Sequence, residues 1–349
     1  MLPDIDNARE ALDFSLSAGG EAEAAIGIAA STAAFTVAAG RGREGYRAIE
    51  RVAPLLAQHA SPTWRARIRL AVAHLCMAQV VPLPEALQAA RDACAGFRDT
   101  GDMVRLYQAL NMANQYAELA GAADEAQAAH DEMRRIESPA WPSVLTRLQR
   151  QAEARRLRRQ GRVADYRDVY AAEALLRAEA GDEHRFWQLQ PLIALAEVAL
   201  GNLDGAVERM RAVVAAIRRH GMQHELWQHV ALYAVTAIER GDLDEALPAT
   251  RDAVAVLRVQ DQLWWIGDHL AWLPALRGDL AGAAQLHGWA DARAADRAAP
   301  RGPVVQEARE RLAARLAAAF DASELAQRRD EGAALGDAEV LALALGEPR

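Results

Sequence analysis

Lysine is absent from this chain of 349 residues, so arginine alone supplies the permanent positive side-chain charge. A Walker-type phosphate loop and a Schiff-base enzyme both require a lysine, and the sequence therefore excludes both kinds of site. The formal net charge is −8. Because proteins that bind nucleic acid usually show a basic surface, we expect no direct nucleic-acid binding by these residues.

Cysteine is nearly absent as well. The chain has Cys76 and Cys94, whose spacing fits neither a metal site nor a disulfide framework. On the two arms of one helical hairpin they would lie roughly 12 Å apart along the helices, which is too far for a disulfide. We expect both thiols to be reduced and buried.

The histidines give no metal site. His220 and His224 are four residues apart, but Gly221 between them indicates a turn rather than one helical face. His184 lies forty residues before His224, and no cysteine or glutamate is placed to complete the three or four ligands of a tight site. No nucleophile is spaced for a triad with histidine and an acid. We expect no enzyme activity, no cofactor and no metal.

Long hydrophobic runs are also lacking. The most apolar stretch, residues 24–39, is shorter than a membrane span and consists mostly of alanine, glycine and threonine. It predicts a buried helix. The opening residues 1–4 include an acid and no base, unlike a secretory signal. These features predict a cytoplasmic protein with no membrane contact.

Glycine, by contrast, recurs with a period. Gly121, Gly161, Gly201 and Gly241 are each forty residues apart, and Gly278 follows after thirty-seven. Glycine ends helices in the left-handed conformation, and the Asn or Asp that often follows it is suited to cap the next helix. An alanine five residues after the turn glycine, or at the equivalent place, predicts close helix packing. Alanine holds this position at Ala86, Ala126, Ala206, Ala246 and Ala283, and Tyr166 interrupts the column.

A second series of turns runs half a period out of phase. Gly101, Gly181 and Gly221 belong to it, and Asp261 takes the same phase. Two turns in forty residues predict two helices of roughly fifteen residues each, and no sustained alternation of a strand is present. The predicted fold is all-α: a right-handed α-solenoid of about seven tetratricopeptide-like hairpins with a helical cap at its carboxyl end.

The period also predicts the domain limits. Residues 1–297 form the predicted repeat solenoid, and residues 298–349 form the predicted cap, because Pro300, Gly302 and Pro303 interrupt the helical pattern. An alternative for the segment around the turn at residues 320–323 is a DNA-binding helix-turn-helix. The acidic ends of the second helix disfavour it.

Aromatic residues fall in register with the second series of turns. Tyr107, Trp187 and Trp227 each precede a glutamine, and they are predicted either as core between helices or as part of a groove. In the groove interpretation the glutamines form a ladder on the concave surface, where repeat solenoids commonly bind. The basic segment 147–162 is either a solvated face neutralised by nearby acids or a site for an anionic partner. The predicted groove comprises Tyr107, Gln108, Arg147, Arg150, Trp187, Gln188, Trp227 and Gln228.

Four segments resemble one family. They are similar to the MalT-like repeat region of large bacterial transcription regulators. Those regulators also carry a LuxR-type or winged-helix DNA-binding domain and a signal-transduction ATPase. The segments are residues 4–14, 42–51, 282–290 and 331–344. The resemblance implies a region that senses a small-molecule inducer, a protein or a peptide and holds the ATPase inactive until then. Neither the ATPase nor the DNA-binding domain is present in these residues. The alternative is a stand-alone tetratricopeptide scaffold or adaptor.

Overall fold

The structure consists of helices joined by short turns. It is a computed structural model, and it contains no strand in the residues that it describes. Those residues are 2–17, 20–38, 41–78, 80–138, 140–141, 143–220, 223–259, 261–297 and 301–347. The chain divides into two compact units, Met1–Gly161 and Arg162–Arg349. Each unit is described by itself below.

Unit 1 is a succession of helices in which neighbours along the chain pack together, most clearly from α5 to α8. Short 3-10 turns at Ala53–Leu55 and Cys76–Ala78 join some of them. The α-helices are α1 (Leu2–Ser15), α2 (Ala22–Ala38), α3 (Gly42–Val52), α4 (Leu56–His59), α5 (Pro62–Leu75), α6 (Leu83–Thr100), α7 (Met103–Leu119), α8 (Ala123–Ile136) and α9 (Ser143–Arg159). The apolar stretch at residues 24–39 falls largely on α2, whose Ile26, Ala29 and Ala33 are fully buried, which confirms the predicted helix.

Unit 2 begins with the same arrangement and ends differently. Helices α10 to α14 each pack against the next one, as in unit 1. The α-helices are α10 (Val163–Glu179), α11 (Glu183–Ala199), α12 (Leu203–Arg219), α13 (Gln223–Arg240), α14 (Leu243–Leu257), α15 (Gly267–Leu270), α16 (Trp272–Leu276), α17 (Leu280–Asp296), α18 (Pro303–Ala319), α19 (Ala322–Ala333) and α20 (Asp337–Leu345).

The turns follow the predicted period. Both glycine series adopt left-handed φ angles, between 69° and 87°, wherever the structure describes them, and Asp261 has a φ of 53°. Asp182 accepts a hydrogen bond from the Arg185 amide at 3.2 Å, and Asp279 caps α17 in the same way at 2.8 Å. The prediction that glycine ends one helix and the following Asn or Asp caps the next is therefore confirmed. Gly221 lies outside the described residues.

The alanine column lies in the core between the helices. All five of its alanines are fully buried, which agrees with the predicted approach of neighbouring helices. Tyr166, in the same column, is also buried and packs edge-to-face on Tyr170 with ring centroids 5.0 Å apart. The hairpins are thus consistent with a helical repeat array within each unit.

The repeat changes character after α14. A long first helix is expected here, but the chain forms a 3-10 turn at Leu263–Ile266 and the short helices α15 and α16 instead. Gly267 explains the close fit at this point, because a side chain there would press on the Trp289 ring of α17. Helices α18, α19 and α20 then pack on α15, α16 and α17, within the same compact unit.

No helix among the described residues is long and apolar enough to cross a bilayer.

Candidate functional site

The predicted groove lies on the first helices of the hairpins, namely α7 and α9 in unit 1 and α11 and α13 in unit 2. Within each unit the two first helices contact one another. The predicted groove residues thus fall into two sets, one in each unit.

In unit 1 the structure places Tyr107 in the core. Its ring is fully buried and meets Trp141 edge-to-face, with centroids 5.1 Å apart. Burial raises the pKa of its hydroxyl, which makes no hydrogen bond. The assignment of Tyr107 to the groove is therefore wrong, and the alternative core interpretation holds for this residue. The neighbouring Gln108 is half-buried on α7.

Arg147 and Arg150 lie half-buried on α9. Further along that helix, Arg155 donates to two buried amides of α7, to Asn114 Oδ1 at 2.8 Å and to Asn111 Oδ1 at 2.5 Å. Asn114 in turn donates to the Ala126 carbonyl oxygen at 2.7 Å. This polar network joins three helices, and we did not anticipate it. The signal available was a pair of asparagines three residues apart in the otherwise apolar stretch 109–114.

Acids neutralise much of the basic segment. Glu118 on α7 accepts hydrogen bonds from Arg158 and, at 3.3 Å, from Arg159. Glu153 accepts from Arg156 at 2.5 and 2.8 Å, and this hydrogen bond lowers the pKa of Glu153. For these three arginines the interpretation as a neutralised face is confirmed.

In unit 2 the predicted pair on α11 is partly exposed. Trp187 is half-buried and packs edge-to-face on Phe186, with centroids 4.9 Å apart. The Gln188 amide joins its own helix neighbours: it accepts from Arg185 at 2.8 Å and lies 3.0 Å from the His184 ring nitrogen. Together these polar side chains form a small hydrogen-bonding surface beside an indole.

The pair on α13 is similar. Trp227 is half-buried and meets Trp265 edge-to-face, with centroids 6.2 Å apart, while Gln228 is exposed. Helix α11 continues through Pro191 to Ala199. The structure thus leaves Gln188, Gln228 and the edges of Trp187 and Trp227 accessible within unit 2.

Two buried carboxylates accompany these first helices. Glu197 on α11 binds the Arg209 guanidinium at 2.8 and 2.9 Å, and Arg209 also donates to Gln190 at 2.6 Å. Glu239 on α13 lies 3.1 Å from the buried His269 ring and accepts from Arg311 of α18. Burial opposes the charge of Glu239, but hydrogen bonds from His269 and Arg311 lower its pKa.

A third charge cluster centres on Asp291 of α17. It accepts from Arg301 at 2.8 Å, from Arg309 at 2.9 and 3.0 Å, and from Arg329 at 2.5 Å. Burial opposes its ionisation, but the hydrogen bond from Arg309, followed by the charges of His287 and Arg301, lowers the pKa of Asp291 to about 2. The neighbouring His287 is fully buried, and burial lowers its pKa to about 4. The cluster fastens α17, α18 and α19 together.

A shallow cavity of about 330 Å³ lies beside this cluster, between α17 and α19. Small side chains form most of its wall, and Asp291, Arg329 and Asp330 supply its charge. No group of three or more His, Cys, Asp or Glu side chains in the described part of the chain is arranged to hold a metal ion. His224 is not included in that statement, since its side chain lies outside the described residues.

The second helices carry ion pairs instead of a groove. Arg91 of α6 binds Glu125 of α8 at 2.5 Å in unit 1, and Arg211 of α12 binds Glu245 of α14 at 2.8 Å in unit 2. A further turn along the same helices, Arg98 pairs with Glu132 and Arg218 with Asp252. In all four pairs the acid follows its arginine by 34 residues. The two units thus repeat one pattern of contact between neighbouring second helices.

The chain was compared with known families and proteins. No family model matches the chain. No curated protein matches it either.

Proposed function

We propose that this chain is the sensor or protein-interaction repeat region of a bacterial transcription regulator of the ATPase type. It is cytoplasmic, binds an inducer or partner on its first-helix surface and catalyses no reaction. Its hairpins belong to a tetratricopeptide-like, right-handed solenoid of about seven hairpins. Nucleotide hydrolysis and DNA binding fall to other domains of the regulator.

The observation that carries the proposal is a contact between two of the family-like segments. Residues 282–290 lie on α17, and residues 331–344 lie on α19 and α20. At the crossing, Gly288 faces the main chain of Arg329, and Gly332 faces the main chain of Gln285. Segments more than forty residues apart in sequence therefore meet in one close helix crossing, which supports their reading as a single structural motif.

The arrangement of polar groups supports a binding role. Gln188 and Gln228 stand beside half-buried indoles on the first helices of unit 2, while Arg147 and Arg150 occupy α9 in unit 1. In unit 2, where Arg185 donates to Gln188, aromatic side chains flanked by an amide and a guanidinium group are typical of surfaces that bind peptides and other proteins. On the second helices, the arginines at positions 91, 98, 211 and 218 each pair with an acid of the following second helix, which makes these four side chains less available for recognition.

The test is an ATPase assay with the nucleotide-binding module encoded with this chain or next to it. We expect the chain to bind that module and to lower its basal rate of ATP hydrolysis. Binding without any change in the rate would favour the alternative, a scaffold or adaptor. No binding and no change in the rate would contradict the regulator proposal.

A further inference from the structure

Helix α18 lies on the first-helix side of unit 2. It contacts α11 and α15, and its Arg311 reaches Glu239 on α13. One stripe of α18 is fully buried, at Ala308, Leu312 and Leu316. Leu312 and Leu316 belong to the same apolar cluster as the side chains of α13. Part of the surface expected to bind a partner is therefore already covered by a helix from the same chain.

Three kinds of contact hold α18: a main-chain hydrogen bond, an arginine packed on an indole ring, and an apolar stripe. Other amphipathic helices can make the same contacts. The Trp272 indole N–H donates to the Ala308 carbonyl oxygen at 3.0 Å, a main-chain contact that does not depend on the side chain at that position. The Arg311 guanidinium lies 5.4 Å from the centroid of the Trp272 ring while it pairs with Glu239. The spacing of Ala308, Leu312 and Leu316 is that of one face of any amphipathic helix.

Glu239 gives this surface a charge preference. Its side chain is only 6% exposed, and its arginine comes from α18 rather than from a hairpin. A buried carboxylate that loses its cation is strongly destabilising. Any helix that replaces α18 must therefore bring a positive charge to the same place. The Arg311 side chain is 49% exposed, so its ion pair with Glu239 lies at the edge of the surface that α18 covers. We expect the release of α18 to begin at this edge.

We propose that α18 is an internal, displaceable occupant of this surface, and that the surface takes a partner helix of the same chemistry. Such a helix carries the pattern Ala-Arg-x-Arg-Leu-x-x-x-Leu, as residues 308–316 do. Its apolar residues replace the buried stripe. Its two arginines replace Arg309 beside Asp291 and Arg311 beside Glu239. The partner can bind only molecules in which α18 is released. Its apparent affinity is therefore its intrinsic affinity multiplied by the fraction of such molecules. This inference rests on the proposed binding function and adds the chemistry of the partner.

Hydrogen exchange on the full chain tests whether α18 is displaceable. We compare the parent with Arg311→Ala and with Arg315→Ala, a matched arginine on the exposed face of the same helix. In Arg311→Ala, amides of α18 should exchange about tenfold faster or more, since a charge-assisted contact is lost. Amides of α12 and α14 should stay protected, and Arg315→Ala should behave as the parent. Exchange of α18 only together with α12 and α14, in parent and variant alike, would overturn the proposal.

A labelled peptide of residues 303–319 tests the chemistry of the occupant by fluorescence anisotropy. It should bind the full-length Arg311→Ala chain about tenfold more tightly than the parent, because the surface is released more often. Peptides carrying Arg311→Glu or Leu312→Asp should not bind. Faster exchange of α18 without peptide binding would overturn the assignment of the surface. If Arg311→Ala forms a dimer that the peptide does not dissociate, the occupant of the surface is a second copy of the chain and the partner-helix proposal is wrong.

The outcomes separate this inference from the proposed function. If the chain binds and regulates an ATPase module while α18 stays protected, the proposed function stands and the proposal that α18 is displaceable is wrong. If α18 opens and the peptide binds without any effect on an ATPase module, the helix-binding surface stands and the regulator proposal does not.

Discussion

Gly288 of α17 lies against the main chain of Arg329 on α19, at the point where these two helices cross. A methyl group at Gly288 would overlap the Arg329 carbonyl oxygen, and one at Gly332 would overlap the Gln285 carbonyl oxygen. Glycine is thus required by contact between two backbones, rather than by its backbone conformation. The crossing holds α19 against the last long helix of the hairpin series.

Replacing either glycine with alanine should destabilise unit 2. We expect Gly288→Ala and Gly332→Ala each to cost about 1–3 kcal/mol, because a methyl group forces the helices apart. Gly302→Ala is the matched control, since a side chain there would meet nothing within 4 Å. Denaturant unfolding followed by circular dichroism measures the difference. Variants within about 0.5 kcal/mol of the parent would contradict the close crossing.

Two glutamates in unit 1 should differ in their contributions to stability. Glu118 is 10% exposed and binds Arg158 and Arg159, whereas Glu125 is 31% exposed and binds Arg91. We expect Glu125→Gln to cost no more than about 1 kcal/mol, because exposed ion pairs are screened by solvent. Glu118→Gln should cost more, about 1–3 kcal/mol, since it leaves two arginines at a less exposed contact.

Salt separates the two effects. Raising the ionic strength from about 0.05 to 0.5 M should remove most of the effect of Glu125→Gln and leave most of that of Glu118→Gln. Unfolding midpoints at the two salt concentrations provide the measurement. Equal costs for the two variants, with equal salt dependence, would show that the burial of Glu118 has no energetic consequence.

His287 should make unit 2 sensitive to acid. Burial lowers the pKa of the folded residue to about 4 from the ordinary value of 6.5. Between these values the unfolded chain binds more protons, so stability is complete above about pH 6.5 and falls as the pH drops toward 4. The loss from this residue amounts to up to about 3 kcal/mol. Neither ring nitrogen has a hydrogen-bond partner in the structure, so burying the protonated ring is unfavourable.

His287→Leu tests this effect. At pH 7 the variant should be as stable as the parent or more stable, because an unsatisfied polar group is removed from the core. Between pH 6.5 and 4 it should lose less stability than the parent. The exposed His184 provides the control, because His184→Leu removes a surface imidazole and leaves the core unchanged. Parallel pH curves for His287→Leu and the parent would rule out this histidine as the source.

The repeated part of the fold was predictable because its signals are local. A glycine with positive φ, an Asp or Asn cap and an alanine five residues after the glycine each act within one turn, and each recurs after forty residues. Gly241, Asp242 and Ala246 show this directly: the glycine ends α13, the aspartate caps α14 and the alanine is fully buried.

The parts that were missed depend on contacts between distant residues. Asp291 collects arginines from positions 301, 309 and 329, which follow no period. The route of α18 across the first helices depends likewise on Glu239 and Trp272, whose partners lie outside the hairpin series. Tyr107 was ambiguous for a different reason. An aromatic residue at repeat spacing fits a core as well as a groove, and only the packing on Trp141 decides between them.

The most direct test of the account is a thermal-shift screen of small metabolites and amphipathic peptides, repeated on variants of the first-helix surface. A molecule that binds only the folded chain raises its melting temperature. Gln188→Ala and Gln228→Ala, both in unit 2, should each melt like the parent but show a smaller shift with the same molecule. Each lost contact weakens binding by about 0.5–1.5 kcal/mol. Gln88→Ala, on the exposed face of the second helix α6, is the matched control and should keep the full shift. If both first-helix variants retain the full shift while Gln88→Ala loses it, the binding surface has been assigned to the wrong helices.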